Sequence, residues 1–310
     1  MLAGPRRCRR WGIARIAAMI LCGIGVLVVV AGCGTRDVGS AIGDLSSSDH
    51  EVRLQASYEL ISHGSGAVEP LIDFATTGPD SLRYISAQIL GRIGDRRARG
   101  TLKQLAEDRN EHVRRAALLA LGNMADPGIV DYLVAVLLED ALPDLRAAAA
   151  QSLGASDDTL AVPALVHALQ DTASSVRKQA VVALHRLWTQ QAEGAVTRTL
   201  TEDPVEVVRF VAAQALGQHR AVAAREPLRT ALRDTSVWVR SEAARSLGML
   251  GDAAVIEDLA LLLERREGPD GDAAREALQM LTSANGGDAE TVRGGEAADG
   301  DADARQEVDE

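Results

Sequence analysis

Asp203-Pro204-Val205-Glu206-Val207-Val208-Arg209-Phe210-Val211-Ala212-Ala213-Gln214-Ala215-Leu216-Gly217 is the stretch that decides the fold. Val208, Ala212, Ala213 and Leu216 fall at i, i+4, i+5 and i+8, so they form one apolar helical face. Asp203 stands where an N-cap belongs, Pro204 fits a first turn, and Glu206 completes an Asp-x-x-Glu capping pattern that Asp108 and Glu111 repeat. Gly217 is expected to close the helix, because glycine accepts the left-handed conformation there.

The stretch recurs. Arginine stands at 53, 83, 114, 146, 177, 209 and 240, at spacings of 30 to 32 residues. Seven residues after each comes Leu60, Leu90, Leu121, Leu153, Leu184, Leu216 or Leu247, and Gly follows that Leu at 91, 122, 154, 217 and 248. Asp precedes the Arg by six at 108, 140, 171, 203 and 234. Nineteen residues after the Arg lies Leu102, Leu133, Leu165, Val196, Leu228 or Leu259. Columns held in register over this length signal a solenoid, in which each unit buries its apolar face on its neighbours. A second helix follows the first, as in Ala161-Val162-Pro163-Ala164-Leu165, with Pro163, Pro70 and Pro227 suited to its first turn. Composition agrees: 46% hydrophobic but 3% aromatic residues leave Ala, Leu and Val to fill a helix-on-helix core.

These columns resemble the short HEAT-like repeat of the phycobilisome-lyase type. The likeness covers roughly 46–283, and Asp-x5-Val-Arg-x2-Ala-x3-Leu-Gly is best met at 203–217, 171–184 and 234–248. It implies an all-α, right-handed α-solenoid of about seven to eight two-helix repeats. It also implies that the Arg-bearing helices line the concave surface. There, Asp and Arg of neighbouring units form a structural ladder: Asp108, Arg114, Asp140, Arg146, Asp171, Arg177, Asp203, Arg209, Asp234 and Arg240.

The N-terminus reads as a targeting segment. Arg6, Arg7, Arg9, Arg10 and Arg15 precede an apolar run from Ile16 to Ala31. The run ends in Val30-Ala31-Gly32-Cys33, which resembles the lipobox of bacterial lipoproteins. The resemblance implies a signal peptide over 1–32, a lipidated Cys33 and a tether over 33–45, hence an extracytoplasmic membrane lipoprotein. Gly34 in place of Asp after Cys33 implies the periplasmic leaflet of the outer membrane if the cell is diderm. Cys8 and Cys22 would leave with the signal peptide, so no disulfide is expected. The net charge of -11 falls to -16 once the five arginines are removed, which argues against nucleic acid as the main partner. At the other end, 284–310 is expected to be a disordered acidic tail, with nine acids against Arg293 and Arg305.

Catalytic signatures are sparse. The deoxyhypusine hydroxylase type of HEAT protein holds two irons through His-Glu pairs just after the repeat Arg. Here those dipeptides are Leu54-Gln55, Tyr84-Ile85, Arg115-Ala116, Ala147-Ala148, Lys178-Gln179, Phe210-Val211 and Ser241-Glu242. The reading is therefore a protein that is not an enzyme, has no cofactor or metal, and uses no small-molecule substrate. The position after the Arg and the one four further on share a helix face. They give candidate partner-binding residues Tyr58, Tyr84, Gln88, Arg115, Gln151, Lys178, Phe210, Gln214 and Arg245. Trp188 and Trp238 are expected to pack near helix ends. The function implied is a membrane-anchored scaffold that binds protein or peptide partners through its concave face. The alternative is an enzyme or cofactor carrier of the deoxyhypusine-hydroxylase or bilin-lyase kind.

Overall fold

The computed structural model describes residues 37–124, 127–251, 253–265 and 268–284. The lipobox, the signal segment and 285–310 lie outside them. All regular structure among the described residues is helical, arranged as an α-solenoid of two stacked rows. The inner row carries the repeat arginines: α2 (His50–His63), α4 (Asp80–Ile93), α6 (Glu111–Gly122), α8 (Pro143–Ala155), α10 (Ser174–Arg186), α12 (Glu206–Gln218), α14 (Val237–Leu250) and α16 (Pro269–Ala284). The outer row is α1 (Val38–Asp44), α3 (Val68–Thr77), α5 (Arg99–Leu105), α7 (Val130–Glu139), α9 (Val162–Ala168), α11 (Gln190–Glu202), α13 (Arg225–Ala231) and α15 (Ile256–Arg265). Consecutive inner helices pack side by side, and each outer helix packs on the inner helix that follows it.

The leucine columns make the core. Leu60, Leu90, Leu121, Leu153, Leu184, Leu216 and Leu247 are fully buried, as are Leu102, Leu133, Leu165, Val196, Leu228 and Leu259 of the outer row. Each is removed from water only because the next unit covers it, so burial couples neighbours and nothing more distant.

The glycine column has a different role from the one expected. Gly217 lies inside α12, and His219 takes the C-cap position. What the column provides is closeness. A Cβ built on Gly91 would lie 2.5 Å from Ala120 Cα, and one on Gly122 would lie 2.6 Å from Ser152 Cα. Any larger residue would push two inner helices apart. The partner position, one before the leucine, is correspondingly small: Ala120, Ser152, Ala183, Ser246 and Ala277. Two of these serines fasten the contact as well, Ser152 Oγ donating to Leu118 O and Ser246 Oγ to Ala213 O, each at 2.9 Å.

The expected caps shift too. Asp203 is not the N-cap of α12, which is Val205; its carboxylate accepts from Val205 N at 2.8 Å in the turn before the helix. Asp108 does the same for Asn110, whose own side chain caps α6. Part of the stretch expected as a tether, 33–45, is helical. Residues 38–44 form α1, with Ala41 and Ile42 buried, because their apolar side chains cover the first unit. No helix among the described residues is long and apolar enough to cross a membrane.

Candidate functional site

The repeat arginines hold the inner row together. Arg146 Nε and Nη2 reach the Asp171 carboxylate at 2.7 and 2.8 Å. The same two-pronged bond joins Arg83 to Asp108, Arg177 to Asp203 and Arg209 to Asp234. Arg240 Nε reaches Asp270 at 2.7 Å. The free prong, Nη1, turns back to its own unit, as from Arg177 to Asp171 O at 2.9 Å. One guanidinium thus ties its own turn to the aspartate of the next unit. These are charge-assisted, two-point contacts, which fix angle as well as distance. The Arg83 bond holds the Asp108 carboxyl below the usual carboxylate range, and the Arg146 bond does so for Asp171.

One rung is open. Arg114 Nη1 donates to Asp108 O at 2.8 Å, and Asp140 accepts from Leu142 N at 2.8 Å, but the two side chains do not pair. The structure therefore corrects the expectation of a rung between Arg114 and Asp140. Beside this rung, on the outer row, Lys103 Nζ lies 5.3 Å from the centre of the Tyr132 ring.

Four of the nine candidate partner residues share one groove. Tyr58, Tyr84, Gln88 and Arg115 come together in a groove of about 1080 Å³, walled by α2, α4 and α6. Tyr58 is 56% exposed and Tyr84 37%. Gln88 Nε2 donates to Tyr84 Oη at 3.0 Å, which ties these two lining side chains together. The others lie elsewhere. Gln151 is exposed; Lys178 and Gln214 are half-buried. Phe210 is half-buried and packs against the core. Arg245 is engaged by Glu276 at 3.3 Å and Glu242 at 3.6 Å. Ser241 and Glu242 are buried, and burial raises the Glu242 carboxyl despite Arg245.

Sequence reading missed why the groove exists. Gly is replaced by Ile61 in the first unit, and the position one before Leu90 is Ile89. Both line the groove. In the register of most other interfaces they stand where Gly meets Ala or Ser, so two branched side chains occupy a contact built there for small ones. Arg92 was also missed; it continues the α4 face eight residues after Tyr84.

A second lapse is filled from within. His185 takes the glycine position on α10, and His219 from the end of α12 fits against it, rings 4.8 Å apart and edge-on. His219 Nε2 lies 2.8 Å from His185 O, and Trp188 stacks on His219 at 4.0 Å. Burial pushes the His185 imidazole below its ordinary value, helped by His219 and Arg186. Trp188 packs here, whereas Trp238, also expected to pack, is 58% exposed. Among the described residues, no three His, Cys, Asp or Glu side chains converge as metal ligands would.

No curated protein sequence matches the chain. Among solved structures, it is similar to YibA of Escherichia coli, at 20% identity and TM-score 0.57, covering 79% of this chain and 92% of that one. It is also similar to human deoxyhypusine hydroxylase, at 21% identity and TM-score 0.38, covering 80% and 97%. A third is the CpcE and CpcF complex of phycocyanin lyase from Nostoc sp. PCC7120, at 22% and 0.41, covering 84% and 100%. Two of these are named as enzymes, so the reading that excluded an enzyme is withdrawn. At such identity the likeness concerns the fold and assigns no activity to this chain. HEAT repeats match residues 68–154, 130–217 and 197–282, and the chain belongs to the HEAT-repeat family.

Proposed function

We propose that this HEAT-repeat scaffold is held on the extracytoplasmic side of a membrane through Cys33 and binds protein or peptide partners along its inner row. The observation that carries the binding reading is the groove between α2, α4 and α6. It leaves Leu54, Tyr58 and Tyr84 exposed together on one surface, whereas the aromatic of these columns further along, Phe210, packs against the core. Tyrosines that are solvent-exposed, stiff and half apolar are the side chains interfaces favour at their energetic centres. A photocrosslinking residue at Tyr84 should capture a partner in intact cells. One at Val222, exposed near the outer row, should not. Equal capture at both positions would remove the reading.

The anchor rests on Val30-Ala31-Gly32-Cys33 after an apolar run. A single acyl chain binds a bilayer marginally, whereas two or more hold stably, so a lipidated Cys33 is a sufficient attachment. Gly34 directs the lipoprotein to the outer membrane's periplasmic leaflet in a diderm cell. Cys33→Ala should abolish palmitate labelling and leave an unprocessed or released chain. Labelling that persists in that variant would end the lipoprotein reading.

A further inference from the structure

The groove differs in charge from the chain that carries it. Overall, 44 acidic residues face 33 basic ones. The groove wall reverses this: Arg53, Arg92 and Arg115, with His50 and His112, stand against one acid, Asp80. That acid is already spent. Asp80 accepts from Arg83 at 2.9 Å, Arg109 at 3.1 Å and Asn110 at 2.8 Å. The Asn110 and Arg109 bonds lower its pKa to about 2. Arg92 and Arg115 are exposed, and among the described residues neither meets a carboxylate. They are cations the fold itself does not use, since the arginines that bind the units together are a separate column.

The apolar wall is equally specific in position. Leu54 and Tyr58 on α2 and Tyr84 and Ile85 on α4 lie at one side of the groove; Arg115 lies across it on α6 and Arg92 one turn beyond Gln88. Three helices at the usual spacing of about 8–10 Å give a floor roughly 20 Å across, which an extended segment of some six to eight residues spans.

We infer that this groove is the docking site for an acidic segment of a partner protein, with aliphatic or aromatic side chains between its carboxylates. The carboxylates meet Arg92 and Arg115, and the apolar side chains lie on Leu54, Tyr58 and Tyr84. The inference rests on the binding reading above and narrows it to one chemistry. Charge complementarity carries it: an acidic chain repels acidic partners everywhere except where the fold gathers unpaired arginines, so the groove also selects where the partner lands. Nucleic acid is the other polyanion with such a charge. The surrounding negative charge opposes a long phosphate chain but not a short acidic segment.

Fluorescence anisotropy on the full chain in detergent tests this, with a labelled ten-residue peptide of Glu with Leu at every third position. The companion probes are the same peptide with Gln for Glu, a synthetic peptide of residues 285–310, and a thymidine oligonucleotide. The acidic peptide should bind at least tenfold more tightly than its Gln counterpart, and the preference should shrink as salt is raised. Arg92→Glu with Arg115→Glu should abolish that preference. Tyr58→Ala with Tyr84→Ala should weaken the acidic peptide about tenfold while thermal unfolding stays unchanged, because these side chains are exposed. Equal binding of the Gln peptide, or indifference to the arginine reversals, overturns the inference. Tighter binding of the 285–310 peptide makes the chain's own acidic segment the occupant, and tighter binding of the oligonucleotide makes it a nucleic acid; either refutes the partner assignment. Crosslinking from Tyr84 to a partner segment without acids would sink this inference while leaving the binding reading intact. Failure of Tyr84 to capture any partner would count against the broader reading itself.

Discussion

The first inner interface, α2 against α4, and those from α8 onward are made from the same columns, yet the first is open and the others are locked. From α8 on, Arg146, Arg177, Arg209 and Arg240 each reach the aspartate of the next unit. At the start, Ile61 stands in the glycine column and Arg53 reaches no aspartate of the next unit among the described residues, but one step on Arg83 already pairs with Asp108 and Gly91 already meets Ala120. The same column also lapses at His185, but there His219 and Trp188 fill the space. A missing glycine therefore does not by itself make a site. It makes one only where no side chain of the fold moves in, and the vacated surface then keeps its tyrosines and arginines for something else.

The comparison can be broken most sharply in the core. Leu153→Ala, in the locked part, should cost about 2–5 kcal/mol by urea unfolding, since the side chain is fully buried between units. Tyr58→Ala should cost well under 1 kcal/mol by the same measurement. Similar losses would mean that the groove tyrosine belongs to the core after all.

The ladder gives the next test. Arg177→Ala leaves the nearly buried Asp203 carboxylate without its cation and should cost about 3 kcal/mol. Arg114→Ala breaks no inter-unit pair and should cost about 1 kcal/mol or less. If the two arginines prove equivalent, the pair missing at Arg114 makes no energetic difference to the row. Gly122→Ile should then pry α6 from α8, at about 1–3 kcal/mol, because its Cβ would fall on the Ser152 backbone. An unchanged urea midpoint would show that the close approach is not needed.

The smallest effect concerns the filled lapse. The folded state holds the His185 proton more weakly than the unfolded chain, whose value is 6.5. The neutral imidazole thus contributes stability above that pH, which is lost as pH falls below it through the depressed folded value. The unfolding free energy of the native chain should therefore fall more than that of His185→Gln between pH 8 and pH 5. Parallel curves would show that His185 does not titrate against the fold.

The repeat, its register, the all-α class and the buried leucine columns were legible in the amino-acid order. A column is a local pattern, and burial on an identical neighbour follows from repetition alone. The arginine column could also be read, because its identity recurs whatever surrounds it. Tertiary structure alone decided which units the arginines lock, that Gly217 serves close packing and not a cap, and that α1 belongs to the solenoid. It also chose Tyr58, Tyr84, Gln88 and Arg115 from nine candidates on the same helix face. The reason is physical. Column position fixes the direction a side chain leaves its helix, but its exposure depends on the distance to the next helix, which residues such as Ile61, Ile89 and His185 set across the interface.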